Sequence, residues 1–98
     1  FPTRRSSDLE YILSKQLLRS GTSIGANVKE AIRGQSKDDF IHKLNISLKE
    51  ASESEYWIEL LFETDYITKQ QFDSLIGDCR ELIKLLTSII KTSRKEGK

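Results

Sequence analysis

The chain has 98 residues, 37% of them hydrophobic, and a formal charge of +1. That length allows one domain, the near-neutral balance gives no strong sign of a nucleic-acid or acidic-substrate partner, and no apolar run nears the ~18 residues of a membrane span. The single Cys79 excludes an internal disulfide, so packing or assembly must hold the fold, and the cytoplasm suits such a chain.

One Pro and five Gly favour long helices over a β-fold. The first residues, Phe1 to Leu9, resemble the conceptual translation of a sequencing adapter. We therefore expect them to stand outside the fold and the chain to lack its true beginning.

Segment A, from about residue 9 to 33, is read as one helix. Leu17, Gly21, Ile24, Val28 and Ala31 recur at steps of three or four, tracing one face. Gly21, Gly25 and Ala26 make that face narrow, so a neighbouring helix is expected to approach closely there. Ser20 and Asn27 sit on or beside the seam as polar residues. Gly34 is placed to end the helix in the left-handed conformation.

Segment B, about 37 to 63, opens on Ser36-Lys-Asp-Asp39, which reads as a capping box. Phe40, Leu44, Leu48, Ala51, Ile58 and Leu61 then follow at helical spacing. Segment C, about 69 to 93, opens on a second box, Thr68-Lys-Gln-Gln71, with Ile67 and Phe72 as a hydrophobic staple. Its seam runs through Phe72, Leu75/Ile76, Cys79, Leu82/Ile83, Leu86 and Ile89/Ile90. Residues 95 to 98 should fray.

Short linkers make successive helices antiparallel neighbours. Contacting positions then sum to about 70 across A and B and about 132 across B and C. This register predicts that Ile24 meets Ile46 or Ser47 and that Arg19 reaches Glu50 or Glu53. Asn27 should bond to B and fix register, and Gly21 and Gly25 should lie against B. The fold expected is an all-α, antiparallel up-down bundle.

No catalytic or metal-binding constellation stands out. His42 is alone, and Cys79 in an apolar seam behaves as a small hydrophobe. Lys29, Arg33, Lys37 and Lys43 gather near the A–B end, with Arg19 nearer the middle of A. Antiparallel packing brings Lys91 and Arg94 toward the same end, and sends the Glu-rich half of B to the other. Such a patch suits RNA or DNA; the alternative is that these charges serve solubility and helix ends.

Gln16-Leu-Leu-Arg19-Ser20, Ser23-Ile24, Asn27-Val28, Glu30-Ala31, Ser36, Asp39-Phe40 and Leu48-Lys-Glu50-Ala51 together resemble the 23S rRNA-intervening-sequence proteins. The stretch Glu53-Ser-Glu-Tyr-Trp57-Ile-Glu-Leu-Leu61 resembles one branch of that family. The resemblance implies a four-helix bundle, so that three long helices are present here and the first is missing. It implies ring-like homo-oligomers, pentameric in the related accessory protein of diversity-generating retroelements. It further implies no cofactor, no enzymatic activity, and RNA or a nucleic-acid enzyme such as a reverse transcriptase as partner, in the bacterial cytoplasm. A protein-interaction module with no nucleic-acid contact is the rival expectation. With one helix missing, an apolar groove should run along A and either B or C, where Tyr11, Leu18 and Ile32 lack an evident partner.

Overall fold

The computed structural model describes residues 2–34 and 36–96. Three helices carry the chain: α1 (Pro2–Ile32), α2 (Lys37–Glu63) and α3 (Lys69–Glu96). Among the described residues there is no strand. Helical backbone reaches back to Pro2, seven residues before the expected start. Pro fits the first helical turn, where its missing N–H is not needed, and no Gly or further Pro interrupts Thr3 to Leu9. At the other end α3 runs to Glu96, three residues beyond expectation.

The caps follow local chemistry. Ser36 is extended, and its hydroxyl oxygen accepts the Asp39 N–H at 3.1 Å. The Asp39 carboxylate makes no return bond, so this cap is one-sided rather than a full box. At α3 the box is complete. Thr68 Oγ1 accepts the Gln71 N–H at 3.1 Å, and the Thr68 N–H donates to Gln71 Oε1 at 2.8 Å. Ile67 and Phe72 pack on the same cluster, as a staple requires.

The two turns differ from each other. α2 ends in a Schellman motif: Tyr66 N–H donates to the Leu61 carbonyl at 2.9 Å and Asp65 N–H to Phe62 at 3.0 Å. Asp65 takes the left-handed conformation this needs, with φ 65°. Gly34 does not, contrary to expectation; its φ is not positive. Space explains the glycine instead. A Cβ at Gly34 would stand 3.0 Å from the Ala31 carbonyl oxygen, whose hydrogen bond from the Gly34 N–H tightens the turn.

The helices lie antiparallel with α2 in the centre. α1 and α3 both pack on α2, but among the described residues no Cα of α1 comes within 8 Å of one in α3. The result is shallow, with Cα extents of 58 × 21 × 13 Å. One core cluster joins Ile24, Ala31, Leu44, Ala51, Leu86 and Ile90. A second joins Ile58, Ile76 and Cys79, flanked by Leu17 and Phe72. Phe72 stacks on Phe62, ring centroids 4.4 Å apart.

α1 presents to α2 a line through Leu13, Ser20, Ile24 and Ala31, all buried. Opposite it are Leu44, Ser47, Ala51, Ser54, Ile58 and Leu61. Ser20, Ser47 and Ala51 are all 0% exposed. These three make the close α1–α2 approach. Gly21 and Gly25 do not: both are exposed, and an added Cβ would meet nothing within 4 Å. The expectation that they lie against α2 is corrected. Two stripes of small and apolar residues share α1, and the helix turns the one containing Ser20 inward.

Candidate functional site

Two surfaces carry the chemistry of this fold, and a polar seam positions them. Ser47 Oγ donates to the Ile24 carbonyl at 3.2 Å across the α1–α2 contact. A bond from one helix to the other helix's backbone fixes both sliding and rotation. One turn away, Arg19 Nη2 donates to Glu53 Oε1 at 2.6 Å, and Ser20 Oγ donates to the same oxygen at 3.3 Å. Glu50 is more distant, with Oε1 4.0 Å from Arg19 Nη1. That oxygen is buried and accepts no hydrogen bond. The expected reach of Arg19 toward Glu50 and Glu53 is therefore met chiefly by Glu53.

Asn27 departs from expectation. Its amide donates to the Ser23 carbonyl at 2.9 Å and to Ser23 Oγ at 3.3 Å, within its own helix. It makes no bond to α2 among the described residues. A short amide side chain satisfies itself on the preceding turn whenever that is nearer. Ser47 holds the register role that Asn27 was expected to have.

The first surface is an apolar groove of about 610 Å³ between α1 and α3. Leu17, Leu18 and Gly21 form one wall, Leu75, Cys79 and Leu82 the other, and Ile58 lies on the floor. The expected groove is thus present, and it runs along α1 and α3. Two of its hydroxyls and its thiol are spent locally. Thr22 Oγ1 donates to the Leu18 carbonyl at 2.8 Å, Ser54 Oγ to Glu50 at 3.0 Å, and Cys79 Sγ to Ala51 at 3.2 Å. Ser14 and Asp78 also line it. Burial raises the Cys79 thiol above its ordinary value; Glu55 adds to this and Arg80 opposes it. A thiol so placed is a packing group rather than a nucleophile.

The second surface is the basic end. The C-terminal turns of α1 and α3 meet the N-terminal turn of α2 there. Lys29, Arg33, Lys37, Lys91 and Arg94 are all exposed at this end, and none forms an ion pair among the described residues. Lys43 is different: its Nζ lies 2.9 Å from Glu30 Oε1. That hydrogen bond, and then the attraction itself, raises the Lys43 pKa and lowers that of Glu30. Lys43 is therefore half spent as a contact residue, and Arg19 belongs to the seam, away from the patch.

Arg80 is a site residue that sequence reasoning missed. Its Nε donates to Glu55 Oε2 at 2.7 Å, and its Nη2 lies 3.6 Å from Glu59. The signal was available, because 80 and 55 nearly satisfy the antiparallel register. The hydrogen bond to Glu55 is also what raises the Arg80 pKa most. Among the described residues no group of three His, Cys, Asp or Glu is placed to hold a metal ion. No helix there is long and apolar enough to cross a membrane.

Fold and surfaces together define a small all-α bundle protein with an apolar groove between α1 and α3 and a group of exposed cations at one end. Residues 3–88 match the family described as 23S rRNA-intervening sequence protein, and the chain belongs to that family. It is also similar to a solved structure from Bacteroides thetaiotaomicron VPI-5482, a protein with unknown function from the S23 ribosomal protein family. The two are 62% identical, the match covers 82% of this chain and 71% of that one, and the TM-score is 0.80. Comparison with curated proteins gives no match.

Proposed function

We propose that this protein is a non-enzymatic helical scaffold that self-associates and binds RNA through its basic end. One observation carries the reading: three helix termini bring Lys29, Arg33, Lys37, Lys91 and Arg94 together, exposed and outside any ion pair among the described residues. Phosphate binding needs such a cluster of cations. The family description names 23S rRNA, and the solved relative is assigned to a ribosomal protein family; both supply an RNA context. The related retroelement accessory protein suggests a reverse transcriptase as a protein partner bound alongside the nucleic acid. No cofactor and no catalytic step enter the proposal. The fold in this reading is a four-helix up-down arrangement, with the open side between α1 and α3 as the place of the fourth helix.

Fluorescence anisotropy with a structured ribosomal RNA fragment tests the proposal. Binding should weaken steeply with salt, and Lys91→Glu with Arg94→Glu should flatten that slope by about two phosphate contacts. No binding at low salt, or binding indifferent to the double variant, would reject it.

The second reading is a protein-interaction module without nucleic-acid contact. The apolar groove, where Thr22, Ser54 and Cys79 spend their polar hydrogens within the chain, favours it. Salt-insensitive association with a purified protein partner, in a chain that ignores RNA, would select this reading.

A further inference from the structure

Resting on the RNA reading above, we propose that Glu30 limits how tightly the basic end holds RNA by keeping Lys43 from the phosphates. The end then carries one cation in reserve, and a single carboxylate decides whether it counts.

The pair is direct. Lys43 Nζ lies 2.9 Å from Glu30 Oε1, joining the last turn of α1 to the second turn of α2. Lys29 stands one residue before Glu30 and Arg33 three residues after it, both exposed. A phosphate strand drawn to Lys29, Arg33 and Lys37 therefore meets a carboxylate among them. Like charges brought together in this way cost affinity. A lysine already neutralised by a carboxylate also adds little to the counterion release that drives phosphate binding.

Stability does not account for Glu30. In the last turn of α1 its charge faces the negative end of the helix dipole, where an anion is disfavoured. Asp38 and Asp39, by contrast, occupy the first turn of α2, the end that favours them. The side chains of Lys43 and Glu30 are 33% and 61% exposed, and ion pairs this open add little to the fold. The α1–α2 register is already held by Ser47 on the Ile24 carbonyl and by Arg19 on Glu53. Of the carboxylates that raise the Lys43 pKa, Glu30 acts most and Asp39 less. Removing Glu30 alone therefore frees most of the Lys43 charge.

Fluorescence anisotropy with the structured ribosomal RNA fragment, read across a salt series, tests this role. Glu30→Gln should bind several-fold more tightly than the parent and steepen the salt dependence by about one phosphate contact. Lys43→Gln in the parent should flatten that dependence by less than Lys91→Gln does. In the Glu30→Gln background, Lys43→Gln should remove the gained contact in full. The Glu30 and Lys43 variants should melt close to the parent, and a marked fall would assign the pair to the fold instead. A parent that binds RNA, with the same slope in Glu30→Gln, would overturn the restraint while the RNA reading stands. A steeper slope that survives Lys43→Gln would overturn the part given to Lys43. Failure of both the parent and Glu30→Gln to bind RNA at low salt would overturn the RNA reading and the restraint together.

Discussion

Ser47 donates its hydroxyl hydrogen to the Ile24 carbonyl, 3.2 Å away, at a point where Ser47 has no exposed surface. Both neighbours along this contact, Ser20 and Ala51, are also small and fully buried. Ser47→Ala should therefore cost only ~0.5–1.5 kcal/mol, the worth of one net hydrogen bond. Ser47→Leu should cost more, ~1–3 kcal/mol, because the added atoms have no space. Urea denaturation of the two variants checks both the size and the order.

Gly21→Ala should stabilise the isolated protomer. Residue 21 is exposed mid-helix with nothing near its missing Cβ, and Ala is favoured there by up to ~1 kcal/mol. The sequence pattern alone predicts the reverse, since a small-residue seam would be overpacked by any larger side chain. Thermal melts at low protein concentration decide between the two. A lower melting temperature for Gly21→Ala would mean that the stripe is covered within the protomer.

The Arg19–Glu53 pair should couple modestly. The Arg19 side chain is 53% exposed, so solvent and salt screen much of the attraction. A double-mutant cycle with Arg19→Gln and Glu53→Gln should return ~0.2–1 kcal/mol. Coupling indistinguishable from zero would show that the contact is geometric rather than energetic.

Cys79 should make the fold sensitive to alkali. Its folded pKa is raised above the ordinary 9.0, first by burial. The unfolded chain thus loses its proton at lower pH than the native chain does. The stabilising contribution is whole below pH 9.0 and is lost as pH rises from there toward the folded value. Urea midpoints should fall above that pH in the parent and fall less in Cys79→Ala. Parallel curves for the two chains would refute the assignment.

Sequence patterning located the helices because caps and turns are local chemistry. Thr68 and Gln71 bond to each other across three residues, and that geometry is written in the residue types. The antiparallel register placed Arg19 by Glu53 and Ile24 by Ser47 for a similar reason, since short linkers leave little freedom. Patterning failed where two choices were chemically alike. The stripe through Ser20, Ile24 and Ala31 and the stripe through Leu18, Gly21 and Gly25 both suit close packing. Only helix phase decides which turns inward, and small side chains do not set phase. Asn27 was misplaced by a different competition: its amide donates to the Ser23 carbonyl of its own helix, the local bond that a short amide side chain readily makes. The basic end was legible as charge along the chain, but the Glu30 contact that neutralises Lys43 depends on tertiary distance.

The central place of α2 has a consequence for how the molecule comes apart. α1 and α3 each pack along α2, and among the described residues no Cα of α1 comes within 8 Å of one in α3. Stability is then close to a sum of two adjoining interfaces, as in a short repeat array. Either outer helix can lift away while the remaining hairpin persists, so opening should begin at the flanks. Amide hydrogens in the middle of α2 should exchange last, and those of α1 and α3 on separate, uncorrelated schedules.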